Sequence, residues 1–363
     1  MALHYRGAFG LLAFRGHDLC RLGVLVALIF TLVTVSPLFP QRSRNEMQRR
    51  AFGFEREWTE FSINANALLH ARLDWGTLTG IDANKTAQAI LYAIRRHGPR
   101  ESITFQIPDA GFVNVYDVTA GPDGSLALVG SCLSNAGQAG AFVARISRDR
   151  QRQSIVQTWP FIPVRVAVAS DGTVWTAGME KDPQRDPYDE RVQDNVFRRY
   201  DNGGKLLGTF VARGRSSPGV RGNAVDASYV RASRDRIAWL TNGMEYIEFS
   251  LDGRESGRYE GPPVPKPSTG YGMSIALSKS NEVMVGVEEE GVVNGRRLSR
   301  AKWSLWMLDR KQRAWFPVEL TGARRSPGGI LLGFEGSSLL ILDGRWITSS
   351  FRPLAGEGET VRR

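Results

Sequence analysis

From residue 93 to residue 342 apolar and polar positions largely alternate in short runs broken by Gly, Pro, Asp or Asn. This is the pattern of half-buried strands joined by tight turns. Two stretches carry it most plainly: VTAGPDGSLALVG (118–130) and, 48 residues on, VAVASDGTVWTAG (166–178). In each, an Asp-Gly turn separates two alternating runs, so each reads as a β-hairpin. Weaker copies are YVRASRDRIAWLT (229–241), MSIALSKSNEVMVGV (273–287) and GILLGFEGSSLLIL (329–342).

A second hairpin recurs between these. AIRRHGPRESITFQIP (93–108) aligns without gaps on RISRDRQRQSIVQTWP (145–160), and looser versions lie at 196–211, 246–261 and 303–318. Two hairpins alternating every 48 to 60 residues or so describe a four-stranded antiparallel unit that must stack on its neighbours to bury both faces. The expected fold is all-β, a β-propeller closed by its N- and C-terminal segments. Pairing the hairpins gives five blades; residues 69–92 and a candidate strand Arg345 to Phe351 would supply a sixth, and the count stays open between five and six.

Ahead of the repeat the pattern changes. Residues 22–39, LGVLVALIFTLVTVSPLF, carry no charge over 18 positions, close to the roughly 20 that span a bilayer as a helix. After a short basic segment (1–21), this run reads as a single transmembrane helix acting as a signal anchor, its apolar core being longer than the roughly 7–15 residues of a cleaved signal peptide. Arginines flank it on both sides, so the positive-inside rule is nearly balanced. Because long C-terminal domains translocate largely regardless of charge, the body is expected outside the cytoplasm, on a single-pass membrane protein.

Ser43-Arg44-Asn45-Glu46 then has the form of a capping box, and Met47, Ala51, Phe54, Trp58, Phe61, Ala65 and Leu68 follow at alternating spacings of four and three. The expectation is an amphipathic linker helix over 43–72, lying on the main domain or pairing with a second copy as a homodimer; alternation from Leu69 onward admits strand at its end. The propeller is expected over 76–353, with a flexible tail at 354–363.

Composition narrows the chemistry. The net charge is +10, of which the first 56 residues hold +5 (eight Arg, three acids), leaving +5 spread thinly over the remaining 307. That dispersion argues against a nucleic-acid surface. The four histidines all lie at or before residue 97, which removes His bases, Ser-His-Asp triads and His-ligated zinc from the rest of the chain. Two cysteines, Cys20 and Cys132, build neither a disulfide framework nor a Cys metal site.

The Pro-Asp-Gly form of residues 118–126, with Trp175 and Trp239 as aromatics of the following strand, resembles the repeats of NHL-type and streptogramin-lyase propellers. The resemblance implies the propeller fold. In the lyases a late-blade His acts with a Glu and magnesium; no His occurs there in this chain, so no catalytic residue is carried over.

Propeller function lives on the loops around the central channel. Three expected inter-blade connections contain no acid but hold Arg213, Arg215, Arg221, Lys266, Arg324 and Arg325, which would converge on one mouth as a weak candidate site for an anion. The acid-rich loop 180–194 lacks the Asp order of a calcium loop and reads as solvated. Asp117, Arg165, Ser228 and Ser274, six residues before the turn Asp or its counterpart, are candidate channel-lining residues; Asp117 beside Arg165 would orient a small polar ligand or form a neutralised pair. The resulting expectation is a protein- or anion-binding module, without cofactor or metal. The alternative is a carboxylate- or divalent-metal-dependent lactonase, lyase or glycosidase at the channel mouth.

Overall fold

The repeated sequence is a repeated turn. Asp123 Oδ1 accepts hydrogen bonds from Ser125 N (3.0 Å) and Ser125 Oγ (2.6 Å), and Asp171 Oδ1 accepts the same two from Thr173 (2.9 and 2.6 Å). Gly124 and Gly172 between them sit at φ +80° and +81°, a conformation that a Cβ disfavours. The side-chain acceptor fixes the turn, and the turn sets the register of the strands on either side.

The computed structural model describes residues 50–58, 68–82, 87–95, 100–180, 194–210, 229–241, 245–263, 271–289, 292–293, 296–297, 302–322, 329–343 and 348–354. They are all β. The first strand is β1 (Arg50–Trp58). Blade 1 is β2 (Leu68–Asp74), β3 (Thr77–Asp82), β4 (Gln88–Arg95) and β5 (Arg100–Gln106); blade 2 is β6 (Ala110–Ala120), β7 (Leu126–Ser134), β8 (Ala139–Ile146) and β9 (Gln153–Gln157). Blade 3 is β10 (Phe161–Val168), β11 (Val174–Glu180), β12 (Asp194–Tyr200) and β13 (Leu206–Thr209); blade 4 is β14 (Tyr229–Ala232), β15 (Arg236–Leu240), β16 (Glu245–Ser250) and β17 (Glu255–Glu260). In blade 5, β18 (Tyr271–Leu277) and β19 (Val283–Glu289) are followed by the small hairpin β20 (Val292–Val293) and β21 (Arg296–Arg297), then by β22 (Lys302–Asp309) and β23 (Ala314–Thr321). The last sheet contains β24 (Gly329–Glu335), β25 (Ser338–Asp343) and β26 (Thr348–Pro353), with β1 outside β26.

The innermost strands β2, β6, β10, β14, β18 and β24 touch in that order, and β24 returns to β2, so six blades close one ring. Residues 69–92 and β26 supply what the sixth blade needed. The closing strand is β1, antiparallel to β26 from Phe52↔Pro353 to Trp58↔Thr348 and parallel to β23 from Arg50↔Val318 to Gly53↔Thr321, which fuses the last two blades into an eight-stranded sheet.

Here the linker-helix expectation is corrected: Arg50–Trp58 and Leu68–Asp74 within 43–72 are strands. The helical spacing of Ala51, Phe54 and Trp58 marks no common face of this strand: Ala51 and Phe54 are an odd number of positions apart, and across the bulge between Phe54 and Arg56 the partners of Phe54 and Trp58, Phe351 and Thr348, are again three apart. Phe52, absent from that stripe, is the buried residue, while Phe54 is exposed. Pairing with two open strand edges outweighs the local pattern. The apolar run 22–39, the capping box and the tail 355–363 lie outside the described residues, and among the described residues no helix is long and apolar enough to cross a membrane.

The core is divided among the blade interfaces. Phe105 and Leu91 of blade 1 meet Phe142 and Val118 of blade 2, and Phe52 and Phe351 of the last blade meet Met284 and Leu305 of blade 5. Trp175 and Trp239 share one interface, both packed on Phe197, with the Trp239 and Phe197 rings 5.0 Å apart and nearly parallel and the Trp175 ring tilted by 38°. Their registers differ: Trp175 pairs with Ala167, whereas Trp239 pairs with Val230. The two tryptophans therefore leave opposite faces of adjacent blades and meet in the middle.

Candidate functional site at the mouth of the channel

An innermost strand leaves one edge without a β partner, so its carbonyls must find donors from elsewhere. In five blades the carbonyl at one shared level is capped, and mainly by two side chains. Arg72 donates from Nη1 to Val166 O (2.8 Å) and from Nη2 to Val230 O (2.9 Å); Arg231 donates from Nε to Ile275 O (2.8 Å) and from Nη2 to Leu332 O (3.1 Å); Thr79 Oγ1 donates to Val118 O (3.0 Å). Only a guanidinium carries enough donors, in a wide enough fork, to reach two blades at once.

Two carboxylates balance these cations. Asp74 accepts from Arg72 Nε (2.5 Å), from Arg231 Nη1 (3.1 Å to each oxygen) and from Thr119 Oγ1 (3.0 Å). Asp117 Oδ2 accepts from Arg72 Nη1 (2.8 Å) and Val166 N (3.0 Å), and its Oδ1 accepts from Val118 N (3.0 Å). Two arginines and two aspartates thus tie all six innermost strands into one buried knot.

Burial would raise the Asp74 carboxyl, but Arg72 and Arg231 outweigh it and hold it below the usual carboxylate range. Burial would lower the Arg72 guanidinium, and Asp74 and Asp117 outweigh it in turn. Arg231 is lowered to about 10 by burial and by the neighbouring Arg72, and so stays charged at neutral pH.

Beside the knot lies a cavity of about 240 Å³ whose polar lining is Arg72, Asp117, Arg165, Tyr229, Arg231 and Ser274. Asp117, Arg165, Tyr229 and Ser274 are equivalent. Each lies four residues before the residue whose amide closes its blade's inner turn, namely Gly121, Ala169, Ser233 and Ser278. Bulges precede Arg72, Asp117 and Arg165 in their inner strands and turn these side chains out of the alternating pattern toward the cavity.

Arg165 is buried, donates from Nη1 to Val164 O (2.9 Å) and lies 5.2 Å from the Tyr229 ring centre. Burial pushes the Tyr229 hydroxyl up, with Arg165 pulling the other way, and the phenol keeps its proton at neutral pH. Ser274 Oγ accepts from Leu331 N (3.1 Å). Ala71, Val230 and Leu331 form a buried apolar wall, and Ile330, 42% exposed, marks the rim.

Of the candidate residues, Asp117, Arg165 and Ser274 line this cavity. Arg213, Arg215, Arg221, Ser228, Lys266, Arg324 and Arg325 lie outside the described residues, as does most of the acidic loop 180–194. Tyr229 stands at the position expected for Ser228, because the turn after β14 closes from Ser233 to Arg236, one residue shorter than the Gly121 to Ser125 turn. Asp117 is neutralised by Arg72, a partner outside the original candidates. Arg72, Asp74 and Arg231 are the residues that repeat-counting missed; the available signal was a charge at an inward position of an apolar strand, as in HARLD and YVRA.

The knot's carboxylates are poor candidates for acid–base work, since Asp74 is held ionised and Asp117 accepts three hydrogen bonds. Among the described residues no group of three or more His, Cys, Asp or Glu is placed to hold a metal ion. A third buried carboxylate, Glu248, sits between blades 4 and 5 and accepts from Tyr246 (2.8 Å), Arg236 (2.6 Å) and Arg310 (2.5 Å). It latches two blades together.

No protein-family model matches the chain, and no curated protein matches it. Solved structures similar to it include a Bacteroides caccae protein of unknown function (12% identity, 72% of this chain and 81% of that one, TM-score 0.43). Others are a thermostable family-43 glycoside hydrolase (11%, 71% and 93%, TM-score 0.42) and BBS1N in complex with ARL6DN (12%, 84% and 97%, TM-score 0.43).

Proposed function

We propose that this propeller is a binding module, held outside the cytoplasm by the apolar run 22–39, that recognises an anion in the cavity at the mouth of its channel. One observation carries the reading: the cavity is lined by three buried guanidinium groups, Arg72, Arg165 and Arg231, together with the hydroxyls of Tyr229 and Ser274. Guanidinium and hydroxyl donors around a sheltered cavity match the acceptor oxygens of an anion. Rigid attachment of the knot to all six blades supplies preorganisation, so little ordering is required on binding.

The test is thermal unfolding of the purified protein across chloride, sulfate, phosphate and carboxylate salts at constant ionic strength. One anion should raise the melting temperature above the others in the wild type and lose that effect in Arg165→Gln. A flat series overturns the reading. The tether is tested separately with a reporter enzyme fused after Arg363, active only outside the cytoplasm; cytoplasmic activity contradicts that placement.

A further inference from the structure

Resting on the membrane tether and not on the cavity, we propose that the propeller docks one arc of its rim, from blade 5 through the last blade to blade 2, on a bilayer surface carrying anionic phospholipid. Antiparallel strands in spatial order put both hairpin turns of a blade at one end, so one face of the ring carries the turns. The chain enters the ring on that face. Phe52, near the start of β1, pairs with Pro353 at the end of β26, and Phe351 pairs with Leu339 beside the 335–338 turn. Ten residues, 40–49, separate the apolar run from β1, and ten residues span at most about 35 Å. A tether that short brings the edge of the last blade within reach of the membrane before any other.

The outer turns differ in charge around the ring. In blades 3 and 4 they balance, Lys205 against Asp201 and Arg254 against Asp252. In blade 2, Arg148, Arg150 and Arg152 share a turn with Asp149; in blade 5, Arg310, Lys311 and Arg313 share one with Asp309; blade 1 adds Arg95 and Arg100. Glu101 takes up Arg150 and Glu248 takes up Arg310, whereas Arg100, Arg148, Arg152, Lys311 and Arg313 are exposed. The acids of these turns are drawn into the backbone: Asp149 Oδ1 accepts from Gln151 N (3.1 Å), and Asp309 Oδ1 accepts from Lys311 N (2.9 Å) and Gln312 N (3.1 Å). The entering segment 41–50 adds four Arg against Glu46. Nearer the axis, the turns of blades 2, 3 and the last hold Asp123, Asp171 and Glu335 without a cation, so the basic surface is a rim centred on the tether.

A Lys or Arg near an anionic bilayer gains about fivefold in occupancy, and several act together. Docking by this rim leaves the cavity open, because Ile330 lies at the start of β24, the opposite end of that strand from the 335–338 turn.

The test uses the full-length protein in lipid nanodiscs, either phosphatidylcholine alone or an equal mixture with phosphatidylglycerol, modified with phenylglyoxal and read arginine by arginine by mass spectrometry. In the anionic discs Arg100, Arg148 and Arg152 should react at least about fivefold more slowly than in phosphatidylcholine. Arg254, on the same face across the ring and with its side chain 88% exposed, should keep one rate in both. Molar salt should erase the difference, since the screening length falls from about 10 Å at 0.1 M to about 3 Å at 1 M. The triple variant Arg148→Gln, Arg152→Gln, Lys311→Gln, at exposed turn positions, should restore the Arg100 rate. Equal protection of Arg148 and Arg254, or of neither, in discs that hold the protein overturns the docking and leaves the tether standing; failure to enter the discs overturns both. Protection that is the same in both lipids and grows with protein concentration identifies a second copy as the occupant and overturns the lipid assignment.

Discussion

The knot and the mouth lie side by side in one channel, use the same residue types and behave oppositely. In the knot, Arg72 and Arg231 are committed to four carbonyls on other strands and to two carboxylates. At the mouth, Arg165 lies against a cavity, with a tyrosine and a serine at equivalent positions. A buried arginine is therefore not in itself a sign of function. It belongs to the fold when its donors meet acceptors that the fold leaves open, as those of Arg72 and Arg231 do even though both also line the cavity.

The comparison can be broken by attacking the knot. Asp74→Asn leaves two buried guanidinium groups short of an anion, and should cost about 3–5 kcal/mol in urea unfolding. A loss below about 1 kcal/mol would mean that the knot contributes little to ring closure. Acid sharpens the same point. Asp74, and likewise Glu248, where burial raises the carboxyl but the Arg310 and Tyr246 hydrogen bonds more than offset it, bind protons more weakly folded than unfolded. Their contribution is therefore fully present above the unfolded carboxylate values of about 4, and is lost as pH falls through the lower folded values. Unfolding free energies measured down the acid limb should fall less steeply in Asp74→Asn than in the wild type. A smaller effect is expected at Thr119→Val, which deletes one hydrogen bond to Asp74 and should cost about 1 kcal/mol in the same urea assay.

The blades were legible in the sequence wherever a turn wrote itself in side chains. Asp123-Gly124 and Asp171-Gly172 fix both the hairpin and its register, and even the loosest copies, at 303–318 and 329–342, fold as the strands their alternation indicated. Ring closure was hidden because the apolar residues of Arg50–Trp58 are spaced as in a helix, while the partners that make it a strand, β23 and β26, lie more than 250 residues away. Tyr229 was displaced by one because its turn is one residue tighter. Asp117, Arg165 and Ser274 were reachable by counting back from the turns, but their partners were not: Arg72 meets Asp117 from 45 residues away, Arg231 meets Asp74 from 157, and no local pattern records contacts across a ring.

The division between knot and mouth rests on Arg165, and its stability contribution without ligand is the most direct measurement. Urea unfolding of Arg165→Gln in a buffer free of organic anions should lie within about 1 kcal/mol of the wild type, because the hydrogen bonds that cap the inner strands come from Arg72, Arg231 and Thr79. A loss as large as that of Asp74→Asn would make Arg165 a member of the knot, leave no cation for a ligand, and contradict the account.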